Sequence, residues 1–334
     1  MRSDLIRQLF VSYAHGDDAG FHQAARELIA EERRQKHRVL AAELEHALLA
    51  QRKPGAGQQP LTLRPVPVSR DERPLLRLTK PEHDLAELVL SPTARATIEE
   101  IIRENLSRTS LAGHGLRPRQ RLLFVGPPGT GKSATAHAIA AELSLPVAVA
   151  SLAALTSSFL GDTARNIDAV VRFAEQTPCV LVFDEFDVLG QERGQGGDHG
   201  EMRRVAATVL QLLDEVRGES VIVATSNHPR LIDAALWRRF DELVIFEELG
   251  AAELGELIDL KLRGFPATVS TADRAEELAG LSPAEVELVC RDATRRAVLA
   301  QQPAVDDTTF GAAMSRIRAR RAAIERVGGA PPQE

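Results

Sequence analysis

The run Gly126-Pro127-Pro128-Gly129-Thr130-Gly131-Lys132-Ser133 carries the residue types that cradle a phosphate chain. It follows the apolar Leu122-Leu123-Phe124-Val125 and leads into Ala134-Thr135-Ala136-His137-Ala138-Ile139-Ala140, so a buried strand, a glycine-rich loop and a helix are expected in that order. Gly-x4-Gly-Lys-Ser is the P-loop spacing in its required context. The glycines let backbone N–H groups turn inward around phosphate oxygens, and the helix N-terminus adds partial positive charge. Lys132 can reach the β- and γ-phosphates, and the Ser133 hydroxyl can take a place on Mg²⁺. The expected ligand is a nucleoside triphosphate with its magnesium.

A second set of reactive residues closes the run Cys179-Val180-Leu181-Val182-Phe183-Asp184-Glu185, 52 residues after Lys132. Asp184 suits a metal-holding role, directly or through water, and Glu185 is placed to polarise an attacking water. The strand Ser220–Thr225 ends in Ser226-Asn227, and an asparagine there can hold the attacking water or sense the γ-phosphate. Further on, Trp237-Arg238-Arg239-Phe240-Asp241 offers an arginine pair ahead of the strand Leu243–Phe246. Phosphoryl transfer often recruits an arginine to neutralise transition-state charge.

Positioning these groups requires strands that alternate with helices. Pro146–Ala150 reads as another strand, and a helix from about Thr163 to Glu175 buries Ile167, Val170 and Val171. Ser91-Pro92 opens an earlier helix whose Ile98, Ile101 and Ile102 face inward. Strands that are apolar throughout, set between helices, predict an α/β fold: a P-loop parallel sheet with helices on both faces. Carboxylates at the carboxyl end of such strands share a crevice with the P-loop. From Gly250 onward the pattern is helical, with Leu254, Leu257, Ile258 and Leu262 in one stripe and Val286, Val289, Cys290 and Val298 in another.

Taken together, Gly126–Ser133, Phe183–Asp187, Ala224–Asn227 and Trp237–Asp241 resemble an AAA+ ATPase, more narrowly the AAA clade with its second region of homology, over roughly residues 81–300. The resemblance implies ATP as the nucleotide, with Pro127 to Ala134 around it, and Asn227 as the first sensor. It implies that Arg239 or Arg238 serves the ATP of a neighbouring subunit in a homo-oligomeric ring, usually a hexamer. The family often separates its two arginines by a short spacer; here they are adjacent, so the choice between them stays open. Leu281–Val286 resembles the clade's helix start beside the adenine, with the backbone near Pro283-Ala284 at that place, and no second-sensor arginine is identified. The C-terminal helices resemble the small lid that closes over nucleotide.

In AAA protein-remodelling motors an aromatic-hydrophobic-glycine triplet after the second strand lines a central pore. Phe159-Leu160-Gly161 stands there; the alternative is that Phe159 anchors the next helix in the core. The glycine-rich Gly190–Gly200 occupies the place of a second pore loop.

Residues 1–50 read as a small helical domain that recruits a partner or substrate, 51–80 as a flexible linker, 81–248 as the ATPase domain, 249–327 as the lid and 328–334 as a disordered tail. The linker reading rests on Pro54, Pro60, Pro65, Pro67 and Pro74 and on seven basic residues against two acidic. No run of about 18 apolar residues suits a membrane span, and Met1-Arg2-Ser3-Asp4 lacks a signal-peptide pattern, so a cytoplasmic protein is expected. Cys179 and Cys290 lie in apolar segments and read as reduced, packed thiols. A net charge of −6 argues against a general nucleic-acid binder.

The leading expectation is a ring that couples ATP hydrolysis to unfolding or threading a protein client. With no protease motif of its own, it would leave proteolysis to a separate protein. The short helical N-terminal piece before one AAA module resembles bacterial proteins that act beside a subtilisin-like serine protease in defence or plasmid exclusion. Two other classes stand beside it: a nucleic-acid-dependent loader or initiator, and a slow nucleotide-gated binding switch.

Overall fold

The computed structural model describes residues 65–155, 162–186, 218–228 and 237–328, together with Ser12, 23–25 and 27–28. The chain divides into two units, Met1–Arg64 and Pro65–Glu334. In the first, the described residues are helical, and Ala24 and Ala25 are buried.

Among the described residues, the second unit is built on six strands: β1 (Leu76–Thr79), β2 (Arg121–Val125), β3 (Val147–Ala150), β4 (Val180–Phe183), β5 (Val221–Ser226) and β6 (Glu242–Ile245). Their spatial order is β1-β3-β4-β5-β2-β6, and every pairing is parallel except β1 with β3. Apolar residues fill both faces of the inner strands, as a doubly covered parallel sheet requires. On one face Leu123, Leu181, Phe183 and Ile222 pack with helix α5 (Asp162–Gln176) through Ile167, Val170 and Val171. On the other, Leu122, Phe124, Val180 and Val223 pack with α1 (Pro92–Leu106) and α3 (Lys132–Glu142) through Ile98, Ile101, Ala138 and Ile139. The described residues of this part also include two short helices, α2 (Arg108–Gly113) and α4 (Leu152–Leu155).

Helices α6 (Ala251–Leu262), α7 (Thr271–Glu277), α8 (Pro283–Leu299) and α9 (Asp307–Gly328) enclose a separate core around Ile258, Leu278, Val289 and Phe310. The segment 85–90 joins the two cores. Leu85 and Leu90 pack on the sheet side, whereas Val89 packs among the C-terminal helices. Both cysteines are buried, and that burial pushes the Cys179 thiol up to about 11 and the Cys290 thiol up to about 12. Such thiols are inert packing groups at neutral pH.

The linker read over 51–80 is corrected at its second half. Residues 67–75 fold back through a turn in which Ser69 N donates to Arg73 O at 2.8 Å and Leu75 N to Pro67 O at 2.9 Å. Leu75 and Leu76 are buried, and β1 pairs antiparallel with β3 at the sheet edge. An edge strand tolerates nearby prolines because only one side of it needs donors, so the proline and arginine content misled while the leucines decided. At the C-terminus α9 runs through Gly328, one residue into the stretch read as tail.

Charged residues lock the amino end of the sheet. Asp241 accepts from the N–H groups of Gln120 and Arg121 at 3.0 and 2.9 Å, and its Oδ1 accepts from Arg121 Nη2 at 2.5 Å. Beside it Arg119 reaches Glu104, Glu100 and Glu242. Burial alone would raise the Asp241 carboxyl, but the Arg121 side chain and the two N–H groups outweigh it and hold the group below the ordinary aspartate value. A carboxylate whose pKa is depressed by folding stabilises the protein above its unfolded value, and that stabilisation is lost as pH falls through the folded one. Asp241→Asn should therefore lower the Tm at pH 7 by about 2–4 °C. In thermal melts across pH, the gap to wild type should close below about pH 4; a gap that is constant with pH would exclude the charge as its cause.

Candidate active site

The loop between β2 and α3 is shaped by close approach. A Cβ on Gly126 would lie 2.2 Å from the Phe246 carbonyl oxygen, and Gly126 N donates to Ser226 O at 3.2 Å. Gly129 and Gly131 take φ of +78° and +98°, the left-handed region that glycine enters freely. Gly131 is the N-cap of α3 and has no side chain to occupy the helix's first N–H donors. Those donors and the helix dipole favour an anion in front of them. Lys132 is buried, and its Nζ donates to the carbonyls of Gly126 and Pro127, each at 2.7 Å. Thr130 Oγ1 donates to Pro127 O at 2.8 Å. The lysine is thus held at the loop on carbonyl oxygens, which phosphate oxygens can replace.

The two carboxylates read from the sequence lie just past the carboxyl end of β4. Ser133 Oγ is 3.4 Å from both Asp184 oxygens, so the hydroxyl and the carboxylate converge although they are far apart in the chain. Between β4 and β2 runs β5, and its register, Phe183 opposite Ala224, brings Thr225 beside Asp184. Thr225 Oγ1 donates to Asp184 Oδ1 at 2.5 Å and accepts from Glu185 N at 3.1 Å. Glu185 adopts φ +53°, uncommon for a residue other than glycine and a recurrent mark of functional sites. Asn227 follows two residues after Thr225, half-buried.

The C-terminal helices touch the same loop. Ser282 caps α8, accepting from Glu285 N at 3.3 Å, while Glu285 Oε2 accepts from Ser282 N at 2.8 Å. Ala284 N donates to Gly129 O at 3.1 Å. Pro283 and Ala284 therefore stand at the mouth of the phosphate loop. On α3 itself, His137 Nδ1 accepts from Glu82 N at 3.2 Å, and burial holds that imidazole below its ordinary value.

The arginine pair lies elsewhere. Trp237 and Phe240 pack on the α5 face of the sheet, and Phe240 meets Phe186 edge-on at 6.2 Å. Arg238 and Arg239, between them, are exposed. They enter β6 beside Asp241, whose bonds to Gln120 and Arg121 fix it at the amino end of β2. Gly126 lies about 17 Å further along from Arg121, just past the other end of that strand.

Thus Lys132, Ser133, Asp184, Glu185 and Ala284 come together around the phosphate loop, with Asn227 one residue past the end of β5 between them, and Arg238 and Arg239 do not join them. Phe159, Leu160 and Gly161 lie outside the described residues, as do Gly190–Gly200. The role of Thr225 escaped the sequence reading, as did the reciprocal Ser282–Glu285 bonds that cap the helix start read at Leu281–Val286. The signals were there: a hydroxyl closing the apolar run Val221–Ala224, and Ser-x-x-Glu with proline at the first helical position. The crevice also fits Mg²⁺. Among the described residues no three metal-ligating side chains cluster, but one hydroxyl and one carboxylate suit a cation that keeps its waters and takes phosphate oxygens.

A parallel sheet with a phosphate loop, a carboxylate pair and a polar strand tip in one crevice defines a P-loop nucleotide hydrolase. The profile of the ATPase family associated with various cellular activities (AAA) matches residues 122–248. The chain is 36% identical over 328 residues to the uncharacterized AAA family ATPase y4kL of Sinorhizobium fredii, covering 98% of each chain. It belongs to the AAA ATPase family and hydrolyses ATP. It is also 34% identical over 190 residues to the cell division cycle protein 48 homolog of Archaeoglobus fulgidus, covering 55% of this chain and 26% of that one. With the peroxisomal ATPase PEX6 of Neurospora crassa it shares 34% over 226 residues, 63% of this chain and 16% of that one. The chain thus spans 26% and 16% of those two longer relatives. Among the described residues, no helix is long and apolar enough to cross a membrane.

The docking of α8 on the loop makes Gly129 sensitive. A Cβ there would lie 2.9 Å from Ser282 Oγ on a left-handed backbone, costing on the order of 1–2 kcal/mol. Gly129→Ala should lower both the Tm and the affinity for a fluorescent ATP analogue, read by melting and equilibrium titration; wild-type values for both would show that the loop and α8 adjust freely.

Proposed function

We propose that the protein works as a homo-oligomeric ring, a hexamer, that couples Mg²⁺-dependent ATP hydrolysis to remodelling a protein client. Backbone groups of Pro127 to Ala134 hold the phosphates with Lys132. Ser133 and Asp184 hold the magnesium, Glu185 draws the proton from the attacking water, and Asn227 orients that water. Held by Ser133 and Asp184, magnesium would supply positive charge against the charge that develops on the phosphates. The backbone at Ala284 sits at the adenine side.

The observation that carries the ring is the place of Arg238 and Arg239. They are exposed and at the end of the sheet away from their own P-loop, where a neighbouring subunit's ATP can meet them. Trp237 and Phe240, anchored on the sheet face, set the direction of the pair. The protein client rests on Phe159-Leu160-Gly161, suited to gripping varied side chains, and on the acidic net charge of −6, which disfavours nucleic acid. The helical N-terminal unit is the place for partner choice, cleavage of clients falls to a separate serine protease, and the cytoplasm is the compartment.

Glu185→Gln should keep nucleotide binding while turnover falls by about 100-fold or more. Arg239→Ala and Arg238→Ala, each tested alone and mixed with Glu185→Gln subunits, identify which arginine serves the neighbouring subunit's ATP. The variant of that arginine regains part of its activity on mixing, because some interfaces then pair an intact arginine with an intact carboxylate. No return for either variant at any ratio would contradict action in trans.

The client class is read from ATPase rates with an unfolded protein or with DNA added. Stimulation by the unfolded protein alone, lost in Phe159→Ala, is the expected result. Stimulation by DNA alone would favour the loader reading, and no stimulation with no effect of Phe159→Ala would favour the binding switch.

A further inference from the structure

Strand β5 is apolar from Val221 to Ala224 and then places a hydroxyl at Thr225, which is 1% exposed. Valine would fill a buried strand position as well as threonine does, since both are β-branched and of similar shape. What distinguishes threonine is the hydroxyl, and here both its functions are engaged by the same pair of residues. It donates to Asp184 Oδ1 at 2.5 Å and accepts from the Glu185 N–H at 3.1 Å. A buried side chain that satisfied its hydrogen bonds within its own strand would do neither.

Each of these bonds has a consequence. The first fixes the rotation of the Asp184 carboxylate so that it faces Ser133 Oγ, 3.4 Å from both oxygens. The second holds the backbone of Glu185 at φ +53°, a conformation a non-glycine residue keeps only where its surroundings impose it. Asp184 Oδ1 also lies 3.2 Å from the Glu185 N–H, so hydroxyl, carboxylate and amide form one closed group. On the other side of β5, Ser226 O receives Gly126 N, so the next residue of the same strand tip holds the phosphate loop.

We infer that Thr225 is a positioning residue for ATP hydrolysis: its hydroxyl sets the angle of Asp184 toward the magnesium site and locks the turn from which Glu185 acts. This rests on the reading of Asp184 and Glu185 given above. Partners that orient a metal-ligating carboxylate commonly change metal affinity or activity about 10- to 100-fold when removed.

The test uses the full-length protein with Thr225→Val, which keeps shape and removes the hydroxyl, and Thr225→Ser, which keeps the hydroxyl. Binding of a fluorescent ATP analogue is measured in EDTA and across a Mg²⁺ titration, beside kcat and KM. Affinity in EDTA should match wild type in both variants. In Thr225→Val the Mg²⁺ concentration giving half the metal-dependent gain in affinity should rise about 10-fold, and kcat should fall by a similar factor. Thr225→Ser should restore both. If Thr225→Val fails to fold by thermal melting, Thr225→Ala is read in its place. A hydroxyl-free variant with wild-type Mg²⁺ response and kcat would overturn the inference, as would Thr225→Ser behaving like Thr225→Val. Asp184→Asn separates the two claims: if it leaves the Mg²⁺ response unchanged, the reading of Asp184 falls, whatever Thr225 does.

Discussion

The constraint on which the rest depends is the position of β5 between the strand that ends in the phosphate loop and the strand that ends in the carboxylates. β2 and β4 are not neighbours. Besides the direct approach of Ser133 to Asp184, the tip of β5 links the phosphate loop on one side to the aspartate and glutamate on the other. Three consecutive residues there provide that link: Thr225 toward Asp184 and Glu185, Ser226 toward Gly126, and Asn227 at the crevice. Parallel register enforces the arrangement, because a slip of one residue would turn Thr225 to the opposite face and send every apolar side chain of β5 with it. Both faces of β5 are buried, so the packing energy of Val221 to Ala224 holds the polar tip in place.

The crevice has one wall made by a different core. The C-terminal helices pack around their own apolar cluster, yet the start of α8 hydrogen-bonds to the phosphate loop at Gly129, and Val89 links the segment before α1 to that cluster. Anything that alters the loop's geometry is therefore felt by the helices beyond it. At the other end of the sheet, Asp241 ties the arginine turn to the start of β2. One strand thus carries the phosphate loop at its carboxyl end and supports the exposed arginines at its amino end. A ring in which each subunit's arginines meet the next subunit's nucleotide would use β2 as the rigid spacer between successive sites.

Much of this was legible from local pattern. Gly126–Ser133 and Phe183-Asp184-Glu185 announce themselves because their chemistry requires fixed residue types at short spacing, and the doubly apolar strands made the parallel sheet readable. What stayed hidden was set by long-range packing. The edge strand Leu76–Thr79 was masked by prolines and arginines whose meaning depends on lying at an edge. Strand order, and with it the partnership of Thr225 with Asp184 and Glu185, does not follow from any one segment. The Ser282–Glu285 cap was visible as a helix start, but its docking on Gly129 belongs to the tertiary fold. The Arg119–Glu242 and Arg121–Asp241 ion pairs likewise join residues more than a hundred positions apart, and arginine is too frequent in this chain for any one of them to stand out.

The central claim is that hydrolysis takes place between subunits, with the crevice from one and a guanidinium from the next. The most direct measurement is ATPase rate per subunit across a dilution series, with the mass distribution followed in parallel by sedimentation. The account predicts that activity per subunit tracks the assembled fraction and nearly vanishes in the monomer. A monomer that turns over ATP at the full rate at every concentration would contradict it.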